Sequence, residues 1–226
     1  MASKLLGLLF LPLLFLILRA TAAQVTTGMS ANQNTTLYFG YGSNLWLQQM
    51  KQRCPTSRYM GVARLNGYRW MINERGYANV VETSPMPEKQ SESNIPITNV
   101  SYGLVYTLES EDERRLDANE GVPIAYTKEY LSVDYWPAKE AGKAVNVTEK
   151  AAKKDMLVYI NRRQTGDSEP KKEYIYRMNM GIKDAVAQGV PQAYVDKSMR
   201  PFIPDEDDAT VREQAENQAL LFEDER

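Results

Sequence analysis

The chain has no histidine and a single cysteine among its 226 residues. Those two absences exclude whole classes of chemistry. A zinc site built from the usual nitrogen and sulfur ligands cannot be assembled from one such chain. Neither a Ser-His-Asp triad nor a Cys-His pair is possible. No disulfide can form within the chain. Excess positive charge is also missing: 27 Lys and Arg stand against 29 Asp and Glu, for a net charge of −2. A nucleic-acid binder needs a basic face to neutralise phosphates, so nucleic acid is not an expected partner. Catalysis here has to use carboxylates, hydroxyls, phenols, amines or backbone groups; no cofactor or metal is expected. Tyrosine is abundant, with 14 Tyr against 5 Phe, which suggests aromatic positions with one wet edge.

The first segment reads as an address. Residues 1–23 carry Lys4, an apolar run over 5–18, and small residues at Ala20, Ala22 and Ala23. This is the pattern of a cleaved secretory signal, and the run is short for a membrane span. The alternative is an uncleaved signal anchor that retains the protein in an endomembrane compartment. The expected localisation is the secretory pathway, with secretion and no membrane contact after cleavage. Three Asn-x-Ser/Thr sequons, at Asn34, Asn99 and Asn146, agree with it as glycosylation candidates. Cys54 is expected to be a partly buried, inert thiol, the alternative being a reactive cysteine or one that pairs between chains.

Residues 24–35 are polar and form a loose segment, 36–204 form one domain, and 205–226 are an acidic tail with a helix over 210–221. Strands are expected over 36–41, 59–65, 68–72, 77–81, 102–108, 126–135 and 155–160. Asn66-Gly67 has the signature of a hairpin turn. Residues 84–98 form a surface loop. Helices are expected over 45–53, with Ser43 or Asn44 as N-cap, and over 110–120, with Ser110 and Glu113 as a capping box and Gly121 as the stop. Two further helices follow, over 172–188 and 191–199. The order is strands first and long helices last. That indicates an α+β domain with a curled or barrel-like sheet and helices around it.

Three groups could carry chemistry. The stretch Tyr38-Phe39-Gly40-Tyr41-Gly42-Ser43-Asn44 passes from a strand through glycines into a helix. Clustered backbone N–H groups there would bind a carboxylate or an oxyanion. The spacing fits equally well a tight turn that needs glycine, and it lacks the third glycine of a dinucleotide fingerprint. Glu120 ends a helix just before Gly121. The negative end of the helix dipole raises the proton affinity of a carboxylate there, as a general base requires. Position alone also fits a solvated glutamate. Tyr174 could donate its hydroxyl to a substrate carboxylate, or it could be a core tyrosine.

Residues 37–45, Leu-Tyr-Phe-Gly-Tyr-Gly-Ser-Asn-Leu, resemble the opening motif of the γ-glutamylcyclotransferases. Residues 116–122, Leu-Asp-Ala-Asn-Glu-Gly-Val, resemble the family's second motif, and Tyr174 with Met180-Gly181-Ile182-Lys183 and Gly189-Val190-Pro191 its C-terminal part. The resemblance implies an open mixed β-barrel of five to six strands with flanking helices. It implies an enzyme that converts a γ-glutamyl amide or γ-glutamyl amino acid to 5-oxoproline and a free amine. Glu120 would be the general acid/base. Tyr38, Phe39, Gly40, Tyr41, Gly42, Ser43 and Tyr174 would line the substrate site. The partner is then a small γ-glutamyl molecule. Two other readings stand beside it: a secreted, catalytically silent binding domain for γ-glutamyl or carboxylate ligands, and a family member acting on a glutathione-derived secondary-metabolite intermediate. A leader sequence departs from the best-known members, which are cytosolic, and Gly40 stands where alanine is common.

Overall fold

A computed structural model describes residues 35–83, 95–206 and 210–221. The expected leader and loose segment through Asn34, and most of the expected 84–98 loop, lie outside these. Seven strands form, β1 (Thr36–Gly40), β2 (Arg58–Asn66), β3 (Tyr68–Ile72), β4 (Ala78–Glu82), β5 (Val100–Leu108), β6 (Thr127–Pro137) and β7 (Ala152–Ile160). The helices are α1 (Leu47–Arg53), α2 (Ser110–Asn119), α3 (Lys172–Gln188), α4 (Gln192–Tyr194) and α5 (Arg212–Leu221).

Five strands make a closed barrel in the order β1-β5-β2-β6-β7. The expected open barrel is therefore shut. Neighbours pair antiparallel, and β1 meets β7 in parallel where Tyr38 opposes Leu157. Closure removes the free sheet edges that would otherwise invite pairing with other chains. Strand interiors rich in Val, Leu, Met and Tyr fill the barrel: Phe39, Val62, Leu104, Val133, Met156 and Val158 are all fully buried.

Asn66-Gly67 is a corner, not a hairpin turn. Both edges of β2 are already taken by β5 and β6, so β3 has no edge to pair with. The chain bends at Gly67, whose φ is +77°. Gly67 donates its N–H to the Asn99 carbonyl at 3.0 Å and accepts from the Thr83 N–H at 2.8 Å. β3 then pairs with β4 in a separate two-stranded sheet, turning at Arg75-Gly76.

Two helix starts also differ from expectation. Ser43–Leu45 is a short 3₁₀ turn, and α1 begins only at Leu47, after an extended Trp46 (ψ 107°). Asp184 of α3 caps α1 instead of Ser43 or Asn44, accepting the Leu47 N–H at 2.9 Å. At α2 the N-cap is Glu109 in place of Ser110. The Glu113 carboxylate turns away from a capping box to Lys128 and to the Thr36 hydroxyl. The stop at Gly121 is as expected. Gly121 has φ +61°, its N–H donates to the Ala118 carbonyl at 3.2 Å, and the Val122 N–H donates to the Asp117 carbonyl at 3.0 Å. These two bonds make a complete Schellman motif. Residues 191–199 form α4 and a π-turn over Val195–Met199 in place of one regular helix. Within 205–226, α5 packs Ala215 and Ala219 against Trp46 and Tyr176.

Cys54 is fully buried, and burial raises its thiol pKa to about 12, helped by the nearby Asp112 charge. It is buried more completely than the partly buried thiol expected. Gly103 is one of the close-packed positions of the barrel wall. A Cβ there would lie 2.5 Å from the Gly40 carbonyl oxygen and 2.7 Å from the Phe39 ring. We expect Gly103→Ala to cost about 1–3 kcal/mol by overpacking, read as a lower denaturation midpoint in urea. An unchanged midpoint would show that the wall yields more readily than the geometry indicates.

Candidate active site

β1 carries Tyr38 to the barrel rim, and the Tyr41-Gly42-Ser43 turn leads the chain off it. Above this turn lies a cleft lined by Tyr38, Tyr41, Gly42, Ser43, Tyr174 and Glu120 of the expected set, with an enclosed volume of about 50 Å³. Phe39 and Gly40 are not part of its lining. Phe39 points the other way along the strand pleat, packs over Gly103 and is 0% exposed. Gly40 is placed for packing: a Cβ there would press on Tyr38, Asn44 and Tyr106 at 3.3–3.5 Å.

Gly42 is required by close approach. A Cβ would sit 2.9 Å from the Tyr174 hydroxyl and 3.2 Å from the Ala78 Cβ. α3 reaches this turn because Gly181 lets it pack against Leu45 and Trp46, with only 3.0 Å to spare for a Cβ. Tyr174 then lies beside the turn. Its oxygen accepts the Ser43 N–H at 3.2 Å and the Ala78 N–H at 3.3 Å. The Ser43 N–H is thus committed to Tyr174, and the expected anion cradle of bare backbone N–H groups is replaced here by a phenol that two N–H groups polarise. With both lone pairs engaged, Tyr174 keeps its own proton to donate. The Ser43 hydroxyl is in the same condition. It accepts from Gln49 Nε2 at 3.0 Å and from an Arg177 guanidinium N–H at 3.3 Å. The serine proton also remains available.

Behind Ser43 lies a buried ion pair. Arg177 donates to Glu173 at 3.0 Å, both side chains 5% exposed, and its guanidinium sits 5.0 Å from the Tyr174 ring centroid. Glu120 occupies the C-cap of α2. The Asn44 amide donates to the Glu120 carboxylate at 3.2 Å and to the Tyr38 hydroxyl at 2.9 Å. Asn44 Oδ1 accepts from Gln49 at 2.8 Å and from Arg53 at 3.0 Å. One amide therefore joins the opening motif to the glutamate across 76 residues of sequence.

Asn44, part of the opening motif but expected only as a possible helix cap, also lines the cleft, as do Arg53, Arg177 and the phenols Tyr77, Tyr126 and Tyr159. The last five were not singled out in the sequence, and tyrosine abundance is a signal for the phenols alone. The phenols interlock through the backbone: Tyr41 donates to the Tyr159 carbonyl at 2.6 Å and Tyr126 to the Ala78 carbonyl at 2.9 Å.

No family model matches the sequence. No curated protein matches it either. Solved structures do match in shape. One described as a gamma-glutamyl cyclotransferase superposes with a TM-score of 0.57 at 18% identity, over 81% of this chain and 99% of that one. An uncharacterized human protein superposes with a TM-score of 0.57 at 20% identity, over 82% and 98%. The chain has the γ-glutamylcyclotransferase-like fold. Within that fold, the motif over 37–45 supplies the turn beside the cleft, Glu120 supplies its carboxylate, and Tyr174 supplies a hydroxyl.

Burial holds several phenols of the cleft neutral. Burial raises Tyr38 and Tyr41 well above the ordinary value of 10.0, and the Glu120 charge adds to the rise. Burial takes Tyr174 to about 12, moderated by Arg177 and the two backbone donors. A tyrosine whose folded pKa is raised favours folding below pH 10 and loses that contribution as pH climbs further. We expect an alkaline spectrophotometric titration to show these phenols un-ionised at pH 10. Stability should fall steadily above that pH. A full tyrosinate signal at pH 10 from folded protein would contradict the buried placement.

Proposed function

We propose that the protein is a cyclotransferase that converts a γ-glutamyl amide or γ-glutamyl amino acid to 5-oxoproline and a free amine. One observation carries this reading: Glu120 shares a small cleft with hydroxyl donors, Tyr174 and Ser43, backed by the Arg177 guanidinium. Such a cleft brings a proton acceptor together with proton donors. The glutamyl head of the substrate has complementary groups, an ammonium and a carboxylate.

The substrate also carries its own nucleophile, so the reaction needs no water and no covalent enzyme intermediate. Held in the cyclising conformer, the α-amine is positioned over the γ-carbonyl. Glu120 takes one proton from the α-ammonium, and the amine forms the new C–N bond. Charge on the carbonyl oxygen is met by donors already in place. Glu120 then returns its proton to the leaving nitrogen as the old C–N bond breaks. The remaining extra proton of the attacking nitrogen follows, so the lactam keeps one N–H and the amine leaves as an ammonium. Tyr174 acts as a neutral donor throughout. The cleft admits the reacting end of the substrate, and the leaving amine extends toward the opening.

Mass-spectrometric detection of 5-oxoproline from a panel of γ-glutamyl amides tests the assignment. Glu120→Gln should fold as the wild type and lose on the order of 10²–10⁴-fold in kcat. More than about a tenth of wild-type activity would remove Glu120 from the acid/base role. Binding of γ-glutamyl ligands without turnover by the wild type would leave a binding domain.

Residues 1–23 are proposed as a cleaved secretory leader, which sends the enzyme to substrates outside the cytosol. Asn146 is exposed on the β6–β7 connection, whereas Ser101 of the Asn99 sequon is fully buried in β5. Expression in a secreting host should yield a mature N-terminus at about residue 23 or 24 and a mass loss on N-glycosidase treatment that Asn146→Gln reduces. An intact N-terminus on the purified protein would leave the signal-anchor reading.

A further inference from the structure

α5 lies behind the cleft, away from the opening motif in sequence, and yet two of its backbone carbonyls meet the site's scaffold. Arg53, at the end of α1 and 6% exposed, donates from Nε to the Ala219 carbonyl at 3.0 Å and from a terminal nitrogen to the Gln218 carbonyl at 3.4 Å. Both carbonyls belong to the last turn of α5, where the helix leaves its C=O groups without intrahelical partners. The helix dipole places partial negative charge there, which favours a cation. Arg53 is thus a C-terminal cap for α5 supplied by another helix. Its other terminal nitrogen donates to Asn44 Oδ1 at 3.0 Å, and Asn44 Nδ2 donates to Glu120 at 3.2 Å.

A second path starts from the same helix. The end of the Gln218 side-chain amide faces the two Glu173 carboxylate oxygens at 3.1 and 2.8 Å, and two acceptors there assign the NH₂ to that side as the donor. Glu173 holds Arg177, which donates to the Ser43 hydroxyl. Both walls of the cleft are therefore tied to α5: the Glu120 wall through Arg53 and Asn44, the Ser43 wall through Glu173 and Arg177. Packing keeps the helix there, since Ala215 and Ala219 are fully buried against Trp46 and Tyr176.

We propose that α5 is a positioning element for the cleft, orienting Glu120 through Arg53 and Asn44 and Ser43 through Glu173 and Arg177. The effect on turnover rests on the cyclotransferase reading, but the effect on Glu120 does not. With α5 in place, Arg53 pins the Asn44 amide in the orientation that donates to Glu120, which stabilises the charged carboxylate. When α5 leaves, Arg53 loses two acceptors, Asn44 loses its anchor, and Glu120 loses a fixed donor. The phenols around the cleft, Tyr38, Tyr41, Tyr77, Tyr126, Tyr159 and Tyr174, keep their places on the barrel strands and their neighbouring turns, the β3–β4 turn and α3, whereas Glu173 loses its Gln218 donor and Arg177 is held less firmly against Ser43.

The test uses the full chain with two independent lesions. Ala215→Glu places a carboxylate in the apolar seat of α5 and should undock it. Arg53→Lys keeps the charge but cannot serve two carbonyls and an amide at once. Glu120 is followed by carbon NMR of side-chain carboxyl-labelled glutamate, assigned by loss of its signal in Glu120→Gln. Each variant should raise the Glu120 titration midpoint by on the order of half a pH unit or more. Each should lower kcat at least about tenfold with KM changed less than about threefold, and the double variant should fall well short of the product of the two. An unmoved Glu120 midpoint in folded Arg53→Lys and Ala215→Glu proteins would overturn the proposal. If the wild type releases no 5-oxoproline while the midpoint still moves, the positioning role stands and the reaction assignment falls.

Discussion

The side-chain amide of Asn44 is the joint on which this cleft depends. Its oxygen faces two donors, Gln49 and Arg53, and its nitrogen faces two acceptors, Tyr38 and Glu120. With donors on one side and acceptors on the other, only one orientation of the amide is consistent. That orientation fixes a carboxylate at the end of α2 relative to a turn at the end of β1. Thr36 at the start of β1 bonds to Glu113 of α2, and the Asn44 amide makes the second tie, at the cleft itself. The buried setting makes the arrangement strict, because an unsatisfied polar atom there would be costly.

Everything around the amide serves to hold its partners still. Barrel closure fixes β1 between β5 and β7. The Schellman stop at Gly121 ends α2 so that Glu120 takes the C-cap position beside the cleft. Gly42 and Gly181 remove the side chains that would hold α3 away, and Tyr174 arrives with its oxygen already occupied by two N–H donors. The result is a site whose donors are set before any ligand enters, which is the condition for electrostatic catalysis. A chain without histidine can meet that condition because the proposed chemistry asks for one proton shuttle and several neutral donors. Buried tyrosines suit the second role, since burial keeps them protonated far above physiological pH.

The elements that regular patterns encode were legible: the strands, the long α3, and the glycine stop after Glu120. The motif over 37–45 marked the cleft, and Glu120 and Tyr174 were candidates before the fold was known. The expectations that failed share one cause. A hairpin at Asn66-Gly67 is locally sound, but β5 and β6 occupy both edges of β2. A cap at Ser43 or Asn44 is locally sound, but Ser43 and Asn44 serve Arg177, Tyr174 and Glu120 instead, and Asp184 caps α1 from 137 residues away. Glu113 likewise leaves its capping box for Lys128 and Thr36.

Sequence by itself determined which chemistry was open to this protein and which short segments could carry it. With no histidine and one buried thiol, only carboxylates, hydroxyls, phenols and backbone groups remained, and turn glycines beside them were readable because backbone geometry is a local property. Tertiary structure alone decided which side chains became partners. Arg53, Arg177 and the carbonyls of α5 have no distinguishing pattern in the chain, and the motif that contains Asn44 does not name its partners, because hydrogen bonds between groups 76 to 166 residues apart depend on where the barrel and helices place them. Local preferences yielded wherever a buried polar atom elsewhere needed the same group, since leaving that atom unpaired costs more than a lost cap or turn.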